Sequence, residues 1–238
     1  MEERHLDLVL VPLGVLVMTI YNLWLFITIL RTPKRTVIGL NAISRRQWVI
    51  SMMADPQSNG MLGVQTLRNS IMASTLLATA AITLCSIIGV FANSTTSTSN
   101  SAADLIYGNK TPLVTSIKYF TILICFLVAF LCNVQSIRYY AHVSTLITMP
   151  TLKGRRESIA YVVRNLNRAN YFWSLGLRAF YVSFPLFLWI FGPIPMFACC
   201  CIITSTLYFL DTATTATTKF HTSTFTDMMR FDDIESAF

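Results

Sequence analysis

The sequence predicts an all-α integral membrane protein that crosses the bilayer with about four helices. Of its 238 residues, 54% are hydrophobic and 12% are charged, and the mean hydropathy is +0.57. Soluble domains carry about 25% charged residues, so this chain has too little polar surface to keep a fold of its size in water. The apolar residues also lie in blocks long enough to cross a hydrocarbon core about 30 Å thick.

Four apolar runs mark the predicted spans. The first covers residues 6–30 and has no charge after Asp7, which suits a helix that crosses the bilayer with some tilt. It is too long for a cleaved signal peptide and lacks the basic segment that would precede one. The other predicted spans complete a transmembrane domain over residues 1–211, and they cover residues 71–92, 119–137 and 177–210.

The fourth run has 34 residues, more than a bilayer requires, and it contains Pro185, Pro193 and Pro195. Proline removes a backbone donor and clashes with the preceding turn, so a helix kinks or breaks there. Two separate crossings from this run would have about 15 residues each, which is short for a span. We therefore expect one kinked span, with Pro193 and Pro195 as a hinge.

The charges predict the orientation. Thirteen of the 18 basic residues lie in the segments between spans one and two and between spans three and four, if Arg178 at the very start of span four is included, whereas nine of the 11 acids lie elsewhere. The positive-inside rule places both basic segments in the cytosol, so an even number of spans leaves both termini outside or in a lumen. Residues 212–238 then form an acidic non-cytosolic tail, and Glu2, Glu3 and Asp211 contribute to an acidic lumenal mouth.

The two cytosolic segments, residues 31–70 and 138–176, are more than linkers. Residues 41–53 mix apolar and basic side chains at helical spacing, and Asp55-Pro56 predicts a break before a new helix that starts near Gly60 and enters the second span. Similar patterns predict an extension of the third helix and a further amphipathic helix over residues 158–173. Such helices commonly lie on anionic lipid, although the arginines serve equally well as solvated orientation signals.

The motifs of soluble enzymes are absent from the sequence. Its three histidines are far apart, and it contains no zinc-protease, nucleophile-elbow, phosphate-loop or dinucleotide motif. The cysteines all lie in apolar runs without metal-ligand spacing, and we interpret them as small packing residues. We therefore expect no enzymatic activity, metal or cofactor, and no nucleic-acid partner. Two glycosylation sequons, at Asn93 and Asn109, lie in the Ser/Thr-rich loop between spans two and three.

The second span carries two polar stripes. At 100° per residue, one face holds only small side chains, which let helices approach closely in lipid: Ser70, Ser74, Ala78, Ala81, Cys85 and Gly89. About 130° around the helix lies a row of hydroxyls: Thr75, Thr79, Thr83 and Ser86. In an oligomer these hydroxyls would form polar rings around permeating ions. Alternatively, each hydroxyl bonds the carbonyl four residues earlier and faces a neighbouring helix.

Other polar residues give alternative pore linings. Arg68 falls on the hydroxyl stripe at its cytosolic end, where a ring of positive charge would repel cations. One face of the first span places Asp7 at the outer mouth and Asn22 nearer the middle, together with Val11, Gly14, Met18 and Leu25. Asn133 is a deep amide in the third span, and for Asn22 and Asn133 a contact between helices is a better explanation than pore lining.

Several segments of the chain carry a resemblance: Leu8-Val-Leu-Val-Pro-Leu-Gly14, Ile38-Gly-Leu-Asn41, Arg46-Gln-Trp-Val49, the run from Val64 to Thr79, Ser136-Ile-Arg138 and the run from Pro185 to Pro193. Together they resemble a plant family of membrane proteins, the domain of unknown function family 599. A member of that family is a pentameric, calcium-permeable cation channel of the endoplasmic reticulum in plant immunity. The resemblance therefore implies a homo-oligomer around a central pore that passes Ca²⁺ and monovalent cations. A membrane adaptor without conductance and a small-solute transporter are the alternatives.

Overall fold

The computed structural model describes residues 2–32, 36–97, 112–149 and 155–212. Within these ranges the regular secondary structure is helical, as the sequence predicts. The six helices, in chain order, are α1 (Glu2–Arg31), α2 (Val37–Ala54), α3 (Pro56–Ser97), α4 (Pro112–Leu146), α5 (Arg155–Leu188) and α6 (Pro193–Asp211).

Helices α1, α3, α4 and α6 are long and apolar enough to cross a membrane. This finding agrees with the predicted all-α integral membrane fold. Helix α4 packs against α3 on one side and α5 on the other, whereas α1 packs chiefly along α6. The core of this membrane bundle includes Ala81, Ile122, Ala129 and Met196, all fully buried.

Helix α3 is far longer than a bilayer is thick. Its 42 residues extend about 63 Å at 1.5 Å per residue, twice the depth of a hydrocarbon core. The first part of α3 packs with α2, the last turns of α4 and the first half of α5. Together they form a second hydrophobic core, centred on Val49, Val143, Ile147 and Val162. We call this part of the molecule, formed by residues 37–70, 138–149 and 155–173, the basic lobe.

The break between α2 and α3 has a local cause. Asp55 Oδ1 accepts hydrogen bonds from the backbone N–H groups of Gln57 (3.2 Å) and Ser58 (3.3 Å). Asp55 therefore caps the first turn of α3, and Pro56 suits the first helical position because its missing N–H would have no helical partner. The predicted break at Asp55-Pro56 is confirmed, although α3 begins at Pro56 itself.

The basic lobe is also tied together by a polar contact. Arg45 of α2 donates from Nε to Asn167 Oδ1 of α5 over 2.9 Å. Burial lowers the pKa of Arg45, and the neighbouring Tyr140 and Tyr171 partly oppose this shift. The amphipathic segments predicted in the cytosolic regions thus fold against one another to form a packed unit.

The fourth predicted span needs correction, because residues 177–210 belong to two antiparallel helices. Helix α5 ends at Leu188, and the chain turns at Gly192, whose φ of 156° favours glycine. Helix α6 then begins at Pro193. The prediction assumed that two helices here would be too short, but α5 enters the bundle from the lobe and is 34 residues long.

This turn also changes the relation between the two ends of the chain. Thr212, which follows α6, forms an isolated antiparallel bridge with Thr36, next to the basic lobe. Asp7, near the start of α1, lies instead beside Trp189, at the turn between α5 and α6. The two described ends, near Asp7 and at Thr212, therefore lie at opposite ends of the bundle.

Candidate functional site

A charged network joins three helices inside the bundle. Arg178 of α5 pairs with Asp211 of α6, with 2.6 Å between the guanidinium nitrogen and Oδ2. Tyr21 of α1 donates to the same carboxylate oxygen over 2.6 Å, and Arg178 also donates to Asn22 Oδ1 over 3.2 Å. The side chains of Arg178 and Asp211 are only 17% and 13% exposed. Ionisable groups at such positions in membrane proteins are commonly functional or fix the packing of helices.

The sequence-based interpretation missed this network. It treated Arg178 as the cytosolic end of a single span and placed Asp211 at the opposite mouth. A hairpin was the missing element, since Arg178 lies 14 residues before Gly192 and Asp211 lies 19 residues after it, on two helices that the turn brings alongside each other. A glycine followed by two prolines near the centre of an overlong apolar run was the available signal.

A second polar cluster lies at the other end of α1. The buried Lys118 of α4 donates from Nζ to the Trp189 carbonyl over 3.1 Å and lies 5.1 Å from the centre of the Trp189 ring. Trp189 in turn donates from its indole nitrogen to Asp7 Oδ1 over 3.4 Å. Asp7 thus contacts the turn between α5 and α6 of its own protomer.

The structure does not bring the predicted acidic mouth together. Tyr21, which holds Asp211, lies 14 residues along α1 from Asp7, which corresponds to about 21 Å of helix. Asp211 and Asp7 therefore mark opposite ends of the bundle. The side chains of Glu2 and Glu3 lie outside the described part of the chain, as do the sequon side chains of Asn93 and Asn109.

The predicted face of α1 is the one that packs. Val11, Met18 and Leu25 are 8%, 5% and 3% exposed, and Gly14 lies against Cys200 of α6. Asn22, on the same face, contacts Arg178 and so links two helices.

Asn133 lies in the contact between α4 and α5. It is fully buried and donates to the Ala129 carbonyl over 2.8 Å, while its own side-chain oxygen has no partner. A Cβ added at Gly176 of α5 would lie 2.7 Å from the Asn133 amide nitrogen. The two helices therefore approach closely here, and both predicted deep amides take part in contacts between helices.

The two stripes of α3 have different surroundings. Ser74, Ala78, Ala81 and Cys85 are buried, in agreement with a packing face. The hydroxyl stripe is exposed along its whole length, and each hydroxyl donates to the carbonyl four residues earlier over 2.8–3.0 Å: Thr75, Thr79, Thr83 and Ser86. The predicted local hydrogen bonds are therefore present, but no neighbouring helix of the described protomer covers this stripe.

Three further predicted residues are located. Arg68 is exposed at the basic-lobe end of the hydroxyl stripe. The proposed hinge residues differ in surroundings, since Pro193 is buried at the start of α6 and Pro195 is exposed. The hinge prediction concerned motion within one span, whereas these prolines begin a separate helix.

A lateral cavity of about 540 Å³ lies among α1, α4, α5 and α6. Its buried wall includes Met18, Leu186, Met196 and Cys200, and its exposed rim includes Phe26. Among the described residues, no group of three or more His, Cys, Asp or Glu side chains is arranged to hold a metal ion. The cavity is therefore an apolar feature, placed beside the charged network through Asn22.

Comparison with known proteins places the chain in a family. The family model described as "Protein of unknown function, DUF599" matches residues 9–216 and so covers all six helices apart from the first turns of α1. No curated protein and no solved structure matches the chain. The resemblance seen in the sequence is thereby confirmed at the level of the family, and the chain belongs to the DUF599 family.

Proposed function

We propose that this protein is a homo-oligomeric cation channel. Its five subunits place their α3 helices around a central pore that passes Ca²⁺ and monovalent cations. The observation that carries this proposal is the exposed hydroxyl stripe of α3, centred on Thr79. Hydroxyls that already donate to their own helix still present oxygen lone pairs to a passing ion. These oxygens replace part of the ion's hydration shell.

The small-residue face of α3, about 130° around the helix from the hydroxyls, supports the same arrangement. Its small residues pack on α4, so α3 is held by its own protomer while the hydroxyl stripe is left for an axis or for lipid. Thr and Ser side chains are poor substitutes for leucine or phenylalanine against hydrocarbon, which favours the axis. Arg68 at the lobe end then lies at the inner mouth, where its long side chain extends toward lipid phosphate.

The membrane is proposed to be the endoplasmic reticulum of a plant, in which the channel releases calcium to the cytosol during defence. The positive-inside rule places the basic lobe in the cytosol. The start of α1 then faces the lumen. Thr212 lies on the cytosolic side, because it bridges Thr36 beside the basic lobe. This part of the proposal rests on charge distribution and on the family resemblance.

Planar-bilayer recording tests the proposal directly. Purified protein under asymmetric potassium, calcium and chloride should give unitary currents that reverse near the cation potentials. Thr79→Val should lower the unitary conductance, because it removes one oxygen per subunit from the pore wall. Thr206→Val on α6 is the matched control, since Thr206 is also exposed and bonds the carbonyl four residues earlier over 2.9 Å.

Three results would contradict the proposal. Reversal near the chloride potential would reject cation selectivity and give Arg68 the role of an anion-selecting residue. An equal effect of Thr79→Val and Thr206→Val would reject α3 as the pore wall. Silent, well-folded oligomers across a range of lipids and voltages would reject the channel.

A membrane adaptor is the second candidate, because the basic lobe has its own packed core. Arg156, Arg164 and Arg168 are exposed along α5 and offer a basic surface to an acidic partner or to anionic lipid. In this case oligomers conduct no ions, and signalling is lost when Arg156 and Arg164 are changed to Gln. Glu157→Gln, at an exposed neighbouring position of opposite charge, provides the control.

A further inference from the structure

The lateral cavity lies where the bundle is incomplete. Helix α1 packs along α6 rather than against α4, so a gap remains between α1 and α4, and α5 and α6 close it from behind. Its wall is buried at Met196 and Cys200, which are 0% and 1% exposed, whereas Leu23 and Phe26 on the rim are 57% and 59% exposed. The gap therefore opens sideways, toward the surface that the membrane surrounds.

The lining selects against polar ligands. Its hydroxyl groups, on Thr19 and Thr121, each donate to the backbone carbonyl four residues earlier over 2.8 Å. The Asn22 amide donates to the Met18 carbonyl, and its oxygen accepts from Arg178. Both hydroxyl protons of the lining are thus already used, and ten of its thirteen residues, the two cysteines among them, are apolar, so a polar group placed here would exchange water for mostly apolar contacts.

The size of the cavity fits hydrocarbon from one leaflet. Its lining follows α1 from Val15 to Phe26, about 16 Å at 1.5 Å per residue. Half of a hydrocarbon core about 30 Å thick is a similar depth. The volume of about 540 Å³ also lies within the range of ligand pockets and is too small for a helix, which is about 10 Å wide with its side chains.

The position of the rim indicates which leaflet supplies the chain. Phe26 lies five residues before Arg31, the exposed basic residue that ends α1 beside the basic lobe. A phospholipid of the leaflet at this end has its phosphate near the level of Arg31 and its acyl chain at the level of Phe26 and beyond. A cationic side chain at the membrane surface attracts that phosphate.

We propose that the lateral cavity is a binding site for one acyl chain of a phospholipid from the leaflet next to the basic lobe. The bound chain completes the packing between α1 and α4 that the protein leaves open. This site does not depend on whether the protein conducts ions.

Photolabelling in nanodiscs tests this site. The probe is phosphatidylcholine with a diazirine on its acyl chain, and labelled residues are mapped by peptide mass spectrometry. We expect labels on the wall residues Cys125 and Val182. Cys125→Phe fills the cavity and should remove most of the wall labelling, whereas Val128→Phe, at a 40% exposed position of α4, should leave it unchanged.

Other results would overturn the site. Wall labelling that is absent from the native protein shows that a neighbouring copy or a closed gap occupies this volume. Wall labelling that persists in Cys125→Phe shows that lipid reaches these residues by another route. Thr121→Phe, one turn away on the same lining, gives a second filled variant, so the conclusion does not rest on the folding of one mutant.

Discussion

At the scale of single residues, Gly176 has a role that its neighbours define. A Cβ at this position would lie 2.7 Å from the Asn133 side-chain nitrogen and 3.3 Å from the Ala129 carbonyl oxygen. The second contact is with backbone, which moves less readily than a side chain. Glycine is therefore required for the close approach of α4 and α5.

Gly176→Ala should lower the free energy of unfolding by about 1–3 kcal/mol, the usual cost of overpacking a core. Reversible denaturation in mixed micelles provides the measurement. Gly89→Ala on α3 is the control, since a Cβ there meets nothing within 4 Å. Alanine favours a helix by about 1 kcal/mol over glycine, so the control should be neutral or more stable. Equal destabilisation by both changes would contradict the close approach.

The pair of Arg178 and Asp211 gives a second prediction at this scale. Asp211→Asn leaves a guanidinium that is 17% exposed without its counter-charge. Removal of one partner from a buried pair typically costs about 3–5 kcal/mol, and we expect a loss of that order in the same denaturation experiment.

An apolar replacement of both partners separates charge from packing. The double variant Arg178→Met/Asp211→Leu leaves no unpaired charge and should recover most of the lost stability. A double variant as unstable as Asp211→Asn would show that the ion pair itself, rather than the removal of an isolated charge, holds the helices.

At the scale of the element, α3 combines two different faces on one helix. Ala81 is 0% exposed on the face toward α4, whereas its neighbour Ile82 is 42% exposed. Ala81→Leu adds volume where α3 and α4 touch and should destabilise the protein by about 1–3 kcal/mol. Ile82→Leu conserves volume on the exposed side and should have little effect. Thermal aggregation in detergent compares the two, and similar midpoints would contradict the assignment of faces.

Elements with a local cause were predictable from the sequence. Asp55 and Pro56 mark the start of α3 because capping acts within one turn, and the stripe through Ala81 is a property of one helix. The contact of Arg178 with Asp211 was not predicted, because it depends on the direction of α6 after Gly192. Proline indicates that a helix breaks, but it does not specify the angle at which the chain continues.

The same distinction applies to the cavity. Its lining comes from four separate helices. In the sequence alone, each lining residue reads as an ordinary lipid-facing or packing side chain, so none of them indicates a cavity. The sparse packing between α1 and α4 leaves no pattern in either segment.

At the scale of the whole molecule, the two described ends lie at opposite ends of the bundle. We expect an epitope tag before Met1 to be protected from protease in sealed microsomes and a tag after Phe238 to be cleaved. The physical reason is that α6 runs back toward the basic lobe, where Thr212 bridges Thr36. Detergent permeabilisation should expose both tags, which controls for protease access. Protection of both tags would restore the topology with both termini in the lumen.

The pairing of α1 with α6 has a consequence for biogenesis. A ribosome delivers α1 to the membrane first among the described helices and α6 last, yet each is the main packing partner of the other. Until Asp211 has been synthesised, Tyr21 lacks its hydrogen-bond partner and Arg178 lacks its counter-ion. The packing of α1 is therefore completed only after α6, the last described helix, has been synthesised.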